Sequence, residues 1–210
     1  MMNGKNSKLF IVFLFIIIMM FSLVRTNLYP DNSDNGKATA LLIIDVQNFY
    51  FPGGALPLIQ PEKAADNIKK LLLNFRAENR PVIHIRHNVK KGGEIYRTLI
   101  PIEKEKIIFK DHANSFRNTV LLEYLKEKNI GTLVITGMQT HMCVEAATRA
   151  AADLGFKCIV VSDACATRDL KFREKNIRSE DVHHSTLSSL SRTYAEITDT
   201  ESYLKKIIQK

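Results

Sequence analysis

A chain of 210 residues has room for one globular domain and an extension, and its 45% hydrophobic content is enough for a buried core. Its 30 basic and 22 acidic residues give a formal charge of +8, but the two signs are interleaved, as in PIEKEKIIFK (101–110) and EYLKEKN (123–129). With no basic stripe, zinc-finger spacing or aromatic RNA-binding signature, this charge describes a solvated surface and argues against a nucleic-acid partner.

At the N-terminus, Lys5 and Lys8 precede LFIVFLFIIIMMFSLV (9–24), which carries no charge. A basic flank ahead of an apolar run is the form of a secretory signal or a membrane anchor, and residues 1–25 are read as one or the other. No small-x-small cleavage site follows, and the run is slightly short for a bilayer span of about 20 residues. A buried helix is the remaining reading. The two lysines would keep the N-terminus in the cytoplasm and place the domain on the non-cytoplasmic side. TNLYPDNSDNGK (26–37) is polar and turn-rich, a linker. The domain is therefore expected over 38–210.

From there, short apolar runs alternate with amphipathic patterns. TALLIID (39–45), PVIHIRH (81–87), KIIFK (106–110), GTLVITG (131–137), FKCIVVSD (156–163) and a weaker YAEITD (194–199) read as strands. Helical periodicity marks 61–80, 115–129, 141–155 and 179–191, and a last helix closes the chain from Glu201. Pro61 suits a first helical position, while Gly131 and Gly155 suit helix ends. Alternation of this kind predicts a three-layer α/β/α fold, Rossmann-like, with a mostly parallel sheet. In such sheets ligands bind beyond the carboxyl ends of the strands. The strand-end residues are therefore the ones to weigh.

Three of them carry chemistry. Asp45 ends the first strand, Lys110 ends KIIFK, and Cys143 lies just past LVITG in the expected first turn of a helix capped by Thr140. Singly, each has a plain structural reading: a turn former, a solvated terminus and small packing. Together at one sheet rim they can make a nucleophile, because a thiol needs positive charge or a base to attack as thiolate. Asp45 could take the thiol proton and return it to a leaving amine.

DVQNFYFPGGAL (45–56), the FK ahead of NSF, and GMQTHMCVEAATRAA (137–151) followed by VVSDACATRD resemble the isochorismatase-like cysteine hydrolase family, over essentially all of 39–198. The resemblance implies a six-stranded sheet and an Asp45–Lys110–Cys143 triad. It also implies a cis peptide at Met138–Gln139 and an oxyanion hole from the N–H groups of Gln139 and Cys143. Nicotinamidases of that family hold a metal on an Asp-x-His pair. Here the matching region has only His84 and His87, which alternate to opposite faces of a strand, so neither metal nor cofactor is expected. THMCV resembles the amide-hydrolase branch, which includes streptothricin-hydrolase-like enzymes.

The expected activity is hydrolysis of a small-molecule amide or related C–N bond through a thioester. Two alternatives stay open: a vinyl-ether hydrolase of the isochorismatase type with Cys143 a bystander, and a non-catalytic, membrane-tethered binding module. A phosphorylated receiver domain is weaker, for lack of an acidic pair ahead of Asp45. Phe49, His87, His112, Asn114 and His141 are candidates to line the substrate pocket, with Tyr50 and Phe116 as further aromatic wall. His84 is read as buried in the sheet and Cys158 as a small core residue; Asp163 and Cys165 read as turn residues. Of His183 and His184, one is expected to pack and the other to be solvated. Family members often assemble, so a homo-oligomer is expected. The three cysteines suggest no disulfide framework, and a reactive free thiol sits uneasily with export.

Overall fold

In a computed structural model of the chain, residues 36–208 are described. The signal or anchor at 1–25 and most of the linker lie outside the described residues. Among those described, no helix is long and apolar enough to cross a membrane.

The strands, in chain order, are Ala38–Ile44 (β1), Val82–His87 (β2), Lys106–Lys110 (β3), Ile130–Met138 (β4), Lys157–Ala166 (β5), Leu170–Phe172 (β6), Lys175–Ile177 (β7) and Glu196–Thr198 (β8). Six of them form one sheet in the order β3-β2-β1-β4-β5-β8, with every neighbouring pair parallel. The helices are Pro61–Ala77 (α1), Leu121–Glu127 (α2), Glu145–Asp153 (α3), Ser179–Leu190 (α4) and Thr200–Ile208 (α5).

Alternation along the strands divides the core into two layers. Leu41, Ile43, Val134 and Val161 pack with Ile68, Leu71, Leu72 and Phe75 of α1 and Tyr203 of α5. Leu42, Ile44, Leu133, Ile135 and Val160 pack with Leu121 and Leu125 of α2, Ala147 and Ala151 of α3, and Leu187 of α4. The three-layer expectation holds, and the sheet is parallel throughout.

Several boundaries differ from the sequence reading for identifiable reasons. α1 stops at Ala77, short of Arg80: Asn79 turns left-handed (φ 51°) and Arg80 N–H closes back on the Phe75 carbonyl at 2.8 Å. α2 begins only at Leu121, because Asn118 is left-handed (φ 55°) and Thr119 Oγ1 donates to the Ser115 carbonyl. Thr140 is not a side-chain cap. The segment Thr140–Val144 is one π-helical turn leading into α3, and the Thr140 hydroxyl meets His183 Nδ1 at 2.9 Å.

Gly137 shows why β1 and β4 can approach so closely at the functional end. It pairs with Ile44 at φ 125°, and an alanine Cβ there would collide with the Ile44 carbonyl oxygen. Gly137→Ala is expected to cost about 3 kcal/mol, the upper range for overpacking. A thermal denaturation midpoint equal to the parent's would contradict it.

His84 is buried, as expected, and its Nε2 lies 3.0 Å from Glu105 Oε2. Burial favours the neutral form of Glu105, but bonds from Arg76, His84 and the Ile102 N–H prevail and hold it down at about 2, against an ordinary 4.5. A carboxylate depressed on folding stabilises the fold above its unfolded pKa. That contribution is therefore expected to fade as pH falls from about 4.5 to about 2. Glu105→Gln should flatten this part of an acid-denaturation curve; an unaltered curve would assign the acid sensitivity elsewhere.

Candidate active site

The carboxyl ends of β1, β2 and β3 and the turn after β4 converge on one cluster. On β2 and β3, Ile83, Ile85 and Ile108 face the layer that also holds Cys143, so His87 and Lys110 continue toward that side. Strict alternation would send Asp45 the other way, since Ile44 already faces this layer. Asp45 instead adopts a left-handed backbone (φ 52°), a conformation aspartate tolerates better than most residues, and its carboxylate meets Lys110.

Lys110 sits two strands away from Asp45, and the reach is solved by register. His87 pairs with Lys110 at the end of β2, and the extended lysine crosses that strand end. Its Nζ donates to Asp45 Oδ2 at 2.7 Å and to the His112 carbonyl at 3.1 Å, and it lies 3.1 Å from His87 Nδ1. Both side chains of the Asp45–Lys110 pair are fully buried. Asp45 Oδ1 is also buried and makes no hydrogen bond among the described residues. A carboxylate oxygen of Asp45, a ring nitrogen of His87 and Cys143 Sγ all lie within 4.8 Å of one another.

Burial raises the Asp45 pKa above the ordinary carboxylate range despite the Lys110 charge beside it. Burial, and then the Asp45 charge, push the Cys143 thiol up to about 12. The resting nucleophile candidate is thus a thiol beside a base, the arrangement in which Asp45 would take the thiol proton. Proton transfer has to accompany attack.

The Met138–Gln139 peptide is cis. The Gln139 side chain donates to Tyr50 Oη at 3.3 Å and accepts from Arg168 Nε at 3.2 Å. His141 Nδ1 meets Thr167 Oγ1 at 2.6 Å, and burial, then Arg168, lower the His141 pKa. The turn bearing Cys143 is therefore held by Tyr50, Thr167, Arg168 and His183. Of these four, only Tyr50 was weighed for the site from sequence, as aromatic wall rather than as a hydrogen-bond partner of the turn. Thr167 and Arg168 lie in the VVSDACATRD stretch that carries the resemblance, which is the signal that could have found them.

The other candidates separate. His87 is in the cluster. His112 contributes its backbone carbonyl, through Lys110. Asn114 Oδ1 accepts from Phe116 N–H at 2.9 Å, which closes the loop after β3. Phe49 belongs to the core, its ring 4.0 Å from that of Tyr50. Gln47, not weighed from sequence, is fully buried and fixes the end of β2: Oε1 accepts His87 N–H at 2.8 Å while Nε2 donates to the carbonyls of His87 (2.9 Å) and Gly93 (2.6 Å). A groove of about 520 Å³ lies beside the site, lined by Thr167 and His183 among others, but not by Asp45, Lys110 or Cys143.

Asp45, His87 and Cys143 have the spacing of a metal cluster, but their chemistry does not suit a divalent cation. The Lys110 ammonium already sits on Asp45 Oδ2 and against His87 Nδ1, so a dication would face a buried positive charge. A thiol ligand would also have to lose a proton that burial holds in place.

Residues 39–202 match the family described as the isochorismatase domain. The chain belongs to the isochorismatase family. Among similar proteins is the uncharacterized isochorismatase family protein YddQ of Bacillus subtilis (strain 168), 43% identical over 80% of this chain and 99% of its own. A putative isochorismatase hydrolase from Oleispira antarctica, known as a crystal structure, superposes with a TM-score of 0.77 at 39% identity, over 80% of this chain and 97% of that one. A streptothricin hydrolase from Streptomyces noursei is 28% identical over 62% of this chain and 50% of its own. Within this isochorismatase-family fold, the cluster around Asp45 and Cys143 lies where ligands of open α/β sheets bind, beyond the strand ends.

Proposed function

We propose that this chain is a cysteine hydrolase that opens a small-molecule amide, or a related C–N bond, through a thioester on Cys143 and without a metal ion. Asp45 takes the thiol proton as Sγ attacks the carbonyl carbon, and the resulting oxyanion is held by the N–H groups of Gln139 and Cys143. Collapse expels the nitrogen, to which Asp45 returns the proton. Asp45 then deprotonates a water that attacks the thioester, releasing the acid and restoring the thiol. Lys110 keeps Asp45 oriented and favours its ionised form before attack.

One observation carries this reading: a fully buried Asp45 carboxylate holds Lys110 on Oδ2, makes no other hydrogen bond to nitrogen or oxygen at Oδ1 among the described residues, and has Cys143 Sγ within 4.8 Å of one of its oxygens. An unsatisfied buried carboxylate oxygen costs about 1–3 kcal/mol or more, and proton exchange with Cys143 gives it a use. The streptothricin hydrolase likeness agrees with C–N chemistry. Because Asp45 is more basic than an ordinary carboxylate, the acid limb of activity is expected above the usual carboxylate range.

Blocking the thiol tests the reading. After iodoacetamide labels Cys143, turnover of any amide in a small-amide panel should cease. Retained amide turnover in the labelled protein would make Cys143 a bystander and overturn the thioester. We also propose that the domain works on the non-cytoplasmic side, on the strength of the apolar run behind Lys5 and Lys8. Recovery of the protein only in the soluble cytoplasmic fraction would contradict this.

A further inference from the structure

The Lys110 ammonium has three N–H donors and no accepting capacity. It is fully buried, and its neighbours are Asp45 Oδ2, the His112 carbonyl oxygen and His87 Nδ1. With two oxygens taking two donors, the third N–H points at the imidazole nitrogen. A nitrogen that accepts from an ammonium carries no proton of its own, because two donors facing each other at 3.1 Å would repel. The hydrogen-bond network therefore fixes His87 as a neutral ring with its proton on Nε2.

That Nε2–H has no partner among the described residues, and the His87 side chain is 31% exposed. The ring stands beside Cys143 Sγ and the Asp45 carboxylate. Its backbone is gripped on both sides by the buried Gln47 amide and its ring is tied at Nδ1 to Lys110, which together set where the outer nitrogen stands. Burial and the neighbouring Lys110 charge also disfavour a second proton on the ring.

We propose that His87 presents Nε2–H as a fixed donor to an acceptor oxygen of the substrate, so the site selects amides that carry such an oxygen beside the scissile bond. A second carbonyl, a carboxylate or a hydroxyl would serve. His87 is then a specificity-determining contact, neither general acid nor base, since Nδ1 is engaged and Nε2 already holds its proton. A substrate lacking the oxygen would leave the donor desolvated and unpaired, which is how polar pockets reject analogues. The proposal rests on the reading of Cys143 as nucleophile.

Two measurements test it. Long-range ¹H–¹⁵N spectra of the ¹⁵N-histidine-labelled protein at neutral pH should show His87 neutral and protonated at Nε2; an Nδ1–H or cationic ring would overturn the assignment whatever Cys143 does. The second measurement is the alkylation rate of Cys143 by iodoacetamide, whose carbonyl lies beside the reacting carbon, relative to allyl bromide, which has no acceptor. Each rate is divided by that for glutathione.

The parent should prefer iodoacetamide. His87→Asn, which keeps an acceptor for Lys110 but loses the outward donor, should reduce that preference about tenfold. His87→Gln, which places an N–H near the Nε2 position, should stay within about threefold of the parent. Equal preferences in all three proteins would overturn the donor role. Failure of both reagents to label Cys143 in the parent would instead remove the nucleophile reading, and the proposal with it.

Discussion

Cys143→Ala is expected to lower amide turnover by about 10⁴-fold or more while leaving the fold intact, because the sulfur is the protein atom that bonds to the acyl carbon in the proposed pathway. The structural cost should be small. Cys143 packs beside Val144, Ala147 and other small or aliphatic residues, and its removal takes away one buried sulfur. Circular dichroism and the thermal midpoint should stay close to the parent's. Cys143→Ser keeps a hydrogen-bonding group in place but offers a far weaker nucleophile, so its loss should be nearly as large. A Cys143→Ala protein with parent-like turnover would make the cysteine a bystander.

Lys110→Met is the second large expectation, and it acts on stability as well as activity. The variant removes the lysine cation bound to a fully buried Asp45 carboxylate, and breaking such a pair from one side costs about 3–5 kcal/mol. For a domain of this size the midpoint should fall by about 10 °C. Asp45 can answer by taking up a proton, which relieves part of the cost but removes the base, so turnover is lost as well. Adding Asp45→Asn to Lys110→Met should recover stability without recovering turnover. If Lys110→Met melts like the parent, the buried pair does not carry the energetic weight assigned to it.

Much of the architecture was legible because its signals are local. Short apolar runs such as LLII and LVIT, bounded by turn residues and rich in β-branched side chains, read as strands covered on both faces, and their alternation with amphipathic stretches points to a parallel sheet. The chemistry-bearing residues were legible too, as Asp45, Lys110 and Cys143 each close or follow a strand. What stayed hidden depends on backbone choices that no periodicity records. Asp45 reaches the cluster through a left-handed turn, and Asn118 interrupts a helical pattern that reads continuously from Ser115.

The β6–β7 hairpin went unseen for a related reason. Its strands span only Leu170–Phe172 and Lys175–Ile177, and Arg173-Glu174 turns the chain without the glycine or asparagine that usually marks such a turn, Arg173 taking φ 54°. Gln47 and Arg168 act through long-range hydrogen bonds to His87, Gly93 and Gln139, and partners that far apart in sequence leave no local trace. How strongly burial holds the proton on Cys143 is likewise set by the packed fold and leaves no local trace in the sequence.

The proposed mechanism requires a covalent bond at Cys143, and acid-quenched mass spectrometry during turnover of an amide looks for that bond directly. The peptide containing Cys143 should gain the mass of the substrate's acyl group, lose it as substrate runs out, and show no gain in Cys143→Ala. Steady turnover with an unmodified Cys143 peptide, and undiminished turnover in Cys143→Ala, would contradict the thioester and the role assigned to the cysteine.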